Sequence, residues 1–190
     1  MTLPATPGTL EPAWLVAVDL QTVFADPASP WASAHFERAL EGTERLAPAF
    51  TGRTLRTRFV APAAPTGAWR GYYDEWPFAL VDADDPLYDL VPRAAALVGP
   101  VLSAETFGKW GPGLQADVAG ADTLVVTGVS TDCCVLSTVL AAADAGITVR
   151  VVADACAGAS ETDHQRALDA MSLYAPLVTI TTVAEVLAAL

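Results

Sequence analysis

The chain has 190 residues, 53% of them hydrophobic and 17% charged, with a formal net charge of −12. That length suits one domain with a sizeable core, and the composition is not that of a disordered segment. The acidic balance argues against nucleic acid or an anionic membrane surface as partner, and three scattered cysteines do not make a disulfide framework.

The opening stretch, MTLPATPGTLEPAW, has neither a basic nor an apolar leader segment, so no signal peptide is expected. The longest apolar stretch is interrupted by Asp144, Gly146, Arg150 and Asp154, which leaves no candidate membrane span. A cytoplasmic protein acting on a small molecule, with neither nucleic acid nor membrane as partner, is the expectation.

From Trp14, WLVAVDL is a continuous apolar run ending in Asp19 and predicts a strand buried on both faces. Residues 31–50 predict a helix, with Phe36, Leu40, Leu46 and Phe50 near helical spacing. TLRTRFV, residues 54–60, predicts a second strand whose alternating charges place it near an edge or a cleft. Residues 61–91 then hold four prolines and six aromatic residues. Loops longer than about 12–15 residues are uncommon and often functional, and aromatic density argues for order. This stretch reads as an excursion over a site or a subunit interface, or as a loop packed on its own domain.

Helices are predicted at 92–98, 111–120, 132–145, 161–173 and 183–190, and strands at 100–102, 124–127, 147–153 and 177–181. The alternation predicts an α/β fold: a three-layer α/β/α sandwich with a six-stranded, mostly parallel, Rossmann-like sheet, in a single domain over residues 1–190.

In a parallel sheet, ligands sit beyond the carboxyl ends of the strands. Asp19 ends the first predicted strand, Lys109 follows the third and Cys134 the fourth, so all three fall on one edge. Each has a plainer reading: a turn-forming Asp, a solvated lysine, a small buried hydrophobe. Lys109 is the only lysine in the chain. Cys133 and Cys134 fall in a first helical turn, where N–H groups are unpaired and a thiol ionises most easily. Cys156 reads as structural. His35 and His164 read as surface residues, which leaves Asp19 rather than a histidine as the candidate base. Backbone N–H groups at the helix start supply a candidate oxyanion hole.

Two stretches, VDLQTVF (18–24) and VVTGVSTDCCVLSTVLAAADAGITVRVVADAC (125–156), together resemble the isochorismatase-like cysteine hydrolases, which include nicotinamidases, N-carbamoylsarcosine amidases and isochorismatases. The first is similar to the family's D-x-Q-x-x-F motif and the second to its G-V-x-T-x-x-C-V motif. The resemblance implies a catalytic triad of Asp19, Lys109 and Cys134. It also implies a non-proline cis peptide at Val129–Ser130 and an oxyanion hole built from the N–H groups of Ser130 and Cys134. Gln21 and Phe24 enter the candidate substrate-binding set with the first motif; Arg58, Tyr72, Tyr73 and Trp76 join it by placement, the arginine suiting a carboxylate.

Two departures stand out. The family's lysine usually precedes the element that TFGKW resembles, near Ser103 or Ala104, so Lys109 either reaches the site from a shifted position or the lysine's role is altered. RFVAPAAPTGAW also lacks the histidine of a nicotinamidase metal site, so neither metal nor cofactor is expected. Family habit suggests a homodimer or homotetramer. The leading reading is a metal-independent hydrolase of a small amide or related C–N bond, acting through a Cys134 thioester. The alternatives are vinyl-ether hydrolysis of the isochorismatase type, and a non-catalytic or redox-sensing binding module.

Overall fold

A computed structural model describes residues 13–190; the expectation of no signal peptide lies outside them. Six strands form one all-parallel sheet in the order β3-β2-β1-β4-β5-β6. They are β1 Ala13–Val18, β2 Thr54–Phe59, β3 Val101–Ala104, β4 Thr123–Val129, β5 Thr148–Ala157 and β6 Val178–Thr181. This is the doubly wound order, with its reversal between β1 and β4. Those two central strands are almost wholly buried, which is why they read as unbroken apolar runs.

The helices are α1 Thr22–Ala25, α2 Phe36–Leu46, α3 Ala68–Glu75, α4 Pro92–Ala95, α5 Pro112–Asp117, α6 Leu136–Asp144, α7 Glu161–Ser172 and α8 Val183–Ala188. Strand alternation sends Leu15, Val125 and Val152 to one face, where they pack with Leu46 and Phe50 after α2 begins and with Val183 and Val186 of α8. Val16, Val126 and Val151 go to the other face, against Val139 of α6 and Leu168 and Met171 of α7. A third apolar cluster, including Leu20, Phe24, Phe36, Phe59, Tyr73 and Tyr88, caps the carboxyl end of the sheet.

Two glycines mark close approaches. A Cβ on Gly42 of α2 would stand 2.5 Å from that of Ala155, so the helix lies directly on β5. Gly128 has φ +106° and a Cβ there would meet Val18 O at 2.0 Å; only glycine lets β1 and β4 stay paired to their ends.

Several element boundaries differ from the sequence reading. The helix expected over 31–50 starts at Phe36, behind a loop in which His35 takes a left-handed conformation, and its last turn, Ala47–Phe50, tightens to 3-10 geometry. The helix expected over 132–145 opens with a π-helical turn, Thr131–Val135. The excursion over 61–91 contains α3 and two short 3-10 turns at Pro77–Ala79 and Pro86–Tyr88. It is fastened to the end of β1: Val91 N donates to Leu20 O at 3.0 Å and Thr22 N to Asp89 O at 2.8 Å.

Candidate active site

Asp19 follows β1 with φ 50°, a left-handed turn that aspartate tolerates. Its carboxylate is fully buried. Thr57 of β2 holds it from two sides: the hydroxyl donates to Asp19 Oδ1 at 2.6 Å and accepts from Asp19 N at 3.1 Å. Asp19 Oδ2 faces Lys109 Nζ at 2.9 Å. This ion pair lies off the line of a hydrogen bond, so Oδ2 keeps a lone pair free for another donor.

Lys109 comes from the loop after β3, with a fully buried side chain. Its ammonium donates to Thr106 O at 2.8 Å and lies 5.2 Å from the centre of the Phe59 ring. The shift of register anticipated for this lysine is absorbed by the loop. Thr138 of α6 then locks lysine to cysteine: its hydroxyl accepts from Lys109 N at 2.9 Å and donates to Cys134 O at 2.7 Å.

Cys134 is 2% exposed and lines the cavity described below. Its thiol titrates well above the ordinary cysteine value: burial dominates, the Asp19 charge adds to it, and Lys109 only partly offsets the rise. The easily ionised thiol expected at a helix start is therefore not what forms. The turn is π-helical, and desolvation beside a carboxylate outweighs any helix-end dipole. Asp19, Lys109 and Cys134 thus form one buried group in which a protonated thiol lies beside a carboxylate whose charge is held by an ammonium.

The Val129–Ser130 peptide is cis. The Ser130 hydroxyl pairs with that of Ser33 at 2.8 Å, which ties the loop before α2 to the turn carrying Cys134. His164, expected at the surface, is 3% exposed. Its Nδ1 lies 2.8 Å from Thr131 Oγ1, so it props the π-helical turn from beneath; Gly158 approaches so closely that a Cβ would stand 2.8 Å from His164 N. Cys156 is buried, with its thiol pointing at Val126 O at 3.8 Å and its pKa pushed up to about 12 by burial. His35 is exposed, 3.6 Å from Glu161.

A cavity of about 300 Å³ opens onto Cys134. Phe24, Trp31, Phe59, Tyr72, Trp76 and Phe107 supply its walls, and Ser130, Asp132 and Cys133 join Cys134 at its polar end. Of the expected substrate contacts, Phe24, Tyr72 and Trp76 line it, whereas Gln21, Arg58 and Tyr73 do not. Gln21 is a buried tie, donating to Phe59 O and Tyr88 O at 2.9 and 2.7 Å and accepting from Phe59 N at 2.8 Å. Arg58 turns away to the carbonyls of Tyr88 and Ala83, at 2.9 and 2.8 Å. Tyr73 is buried in the cap, its pKa pushed up to about 12 by burial. The sequence reading missed Thr57, Thr138, Trp31 and Phe107. Only Thr138 left a signal, its spacing of four from Cys134 on a helix.

The isochorismatase domain model matches residues 13–185. The chain belongs to the isochorismatase family. It is similar to a cysteine hydrolase from Pseudomonas syringae pv. phaseolicola with a TM-score of 0.80 at 20% identity, over 99% of this chain and 95% of the other. A nicotinamidase/pyrazinamidase from Acinetobacter baumanii gives 0.74 at 20%, over 92% and 97%. A MAR1 ribonuclease from Caenorhabditis elegans gives 0.72 at 21%, over 94% and 80%. Curated proteins give no significant match. Such identities establish the isochorismatase-family fold and leave the reaction to be argued from the site. Among the described residues, no group of three or more His, Cys, Asp or Glu side chains is placed to hold a metal ion. Among the same residues, no helix is long and apolar enough to cross a membrane.

Proposed function

We propose that this isochorismatase-family hydrolase cleaves the C–N bond of a small amide through a thioester on Cys134. One observation carries the reading: a buried thiol at the end of an apolar cavity lies against Asp19, whose charge Lys109 holds at 2.9 Å. As sulfur attacks the amide carbon, Asp19 accepts the thiol proton, and the carbonyl π electrons move to oxygen. The N–H groups of Ser130 and Cys134 are the proposed donors to that oxyanion. The C–N bond then breaks as Asp19 passes its proton to the leaving nitrogen, releasing ammonia or an amine. Water adds to the thioester carbon, Asp19 takes its proton, and collapse returns the thiol and a carboxylic acid. Throughout, Lys109 stabilises the carboxylate between proton transfers, and the aromatic walls keep bulk water from the thioester.

The cavity counts against vinyl-ether hydrolysis of isochorismate. That substrate carries two carboxylates, and among the described residues no basic side chain lines the cavity to receive them. An ammonia-release screen over small amides, ureas and carbamoyl compounds tests the proposal. Turnover of a hit is expected to vanish in Cys134→Ala, and a quenched wild-type reaction is expected to show the acyl mass on the peptide bearing Cys134. Full turnover by Cys134→Ala would overturn the covalent mechanism, whereas no turnover of any compound by the wild-type protein would favour the sensing-module reading.

A further inference from the structure

We propose that the cavity selects an amide whose body carries a positive charge, an alkylated ammonium set among the aromatic rings, and that Asp132 reads that charge. The amide half of this statement rests on the hydrolase reading; the charge preference stands on the cavity itself.

Trp31 is the centre of the wall. Its ring stacks on Phe24 at 6.3 Å and 13°, and meets Tyr72 at 5.8 Å and Trp76 at 6.2 Å. Aromatic faces carry negative potential, and a box of them favours a cation stripped of water. Among the described residues that line the cavity, Asp132 is the only one with a formally charged side chain. Its carboxylate is fixed, not floppy, because Oδ1 accepts from Ala159 N at 3.0 Å. Oδ2 meets the weak donor Cys133 Sγ at 3.8 Å, which leaves most of its hydrogen-bonding capacity unspent. The field of this carboxylate is felt inside the cavity: the Cys133 thiol is pushed up to about 11, by burial first and by Asp132 next.

The basic groups nearby are engaged elsewhere. Lys109 is held by Asp19 and Thr106 O, Arg58 by the carbonyls of Tyr88 and Ala83, and Arg38 reaches Cys156 O and Glu161. An anionic ligand would thus lose its hydration for no counter-charge and face a carboxylate. A cationic one meets a carboxylate and π faces together.

Three matched probes test this: para-(trimethylammoniomethyl)benzamide, its neutral isostere para-neopentylbenzamide, and para-(carboxymethyl)benzamide. Affinity is read in the Cys134→Ala protein from quenching of the cavity tryptophans, with no turnover needed. The cationic probe is expected to bind at least about tenfold more tightly than the carboxylate. Asp132→Asn, which keeps an acceptor for Ala159 N, is expected to lower the cation-to-neopentyl affinity ratio by about tenfold, and Asp132→Glu to retain it. A ratio unmoved by Asp132→Asn, a carboxylate that binds best, or no binding by any of the three would overturn the proposal. Ammonia release by the wild-type protein is measured separately. The expected binding order, with no ammonia from these probes or from any compound of the screen, would leave the charge preference standing and sink the C–N reading. Equal ammonia release and equal affinity across the three probes would do the reverse.

Discussion

The Cys134 thiol and the Asp19 carboxylate are both buried, so ionising the sulfur alone would set two negative charges side by side. In the proposed mechanism the two groups act as a proton-sharing pair, with the thiol intact until an electrophile arrives. At neutral pH, Cys134 is therefore expected to show no thiolate ultraviolet absorbance, and its alkylation by iodoacetamide to keep rising with pH without a plateau in the neutral range. A plateau below the ordinary cysteine value would contradict this sign. Lys109→Met leaves the Asp19 charge buried and uncompensated, and should cost about 3–5 kcal/mol in chemical denaturation. Adding Asp19→Asn removes both charges and should recover part of that loss, a coupling that a double-mutant cycle measures. Arg58→Met tests a different point. Since Arg58 bonds two carbonyls outside the cavity, it should lower stability by about 1–3 kcal/mol while KM for a screened substrate stays put.

At the level of elements, the loop after β3 and the head of α6 are joined by one hydroxyl. Thr138→Val keeps the shape and deletes the bridge between Lys109 N and Cys134 O. It is expected to lower kcat far more than it raises KM, with about 1–3 kcal/mol lost in stability from the stranded buried N–H. The central strands were legible in the sequence because burial on both faces leaves mostly apolar residues between turns, as in β1 and β4. The extension of β5 to Ala157 was not, since VADACA carries no periodicity that separates strand from loop. Helix α3 was hidden by the prolines around it and by Gly67 and Gly71, which lower helix propensity without forbidding it. The π-helical turn left no composition signal at all, because the same residues suit an α-helical turn and only the bond from Val135 N to Ser130 O, five residues back, sets it apart.

Over the whole molecule, the topology rather than any single motif gathers the chemistry. Asp19, Lys109 and Cys134 could be placed together from sequence because parallel strands deliver their carboxyl ends to one edge. The cavity walls could not, because Trp31 and Phe107 come from loops whose course no periodicity encodes, and alternation in β2 gives the face of Arg58 but not its target. The misread His164 has a consequence for the entire fold. Burial lowers its pKa, so the folded state resists protonation that the unfolded chain accepts near 6.5. The unfolded state then binds more protons as pH falls through that value, and stability declines from there toward the lower folded pKa. His164→Gln, which keeps a partner for Thr131, should flatten the dependence of the denaturation midpoint on pH in that window. A final consequence follows from the division of labour between strands and loops. Asp19 and Cys134 stand just past the carboxyl ends of the buried central strands β1 and β4, whereas Trp31, Tyr72 and Trp76 sit on segments outside the sheet. Substrate range is thus separable from reactivity as an inherited trait: a library randomised at those wall positions should yield new specificities on a scaffold whose melting temperature hardly moves.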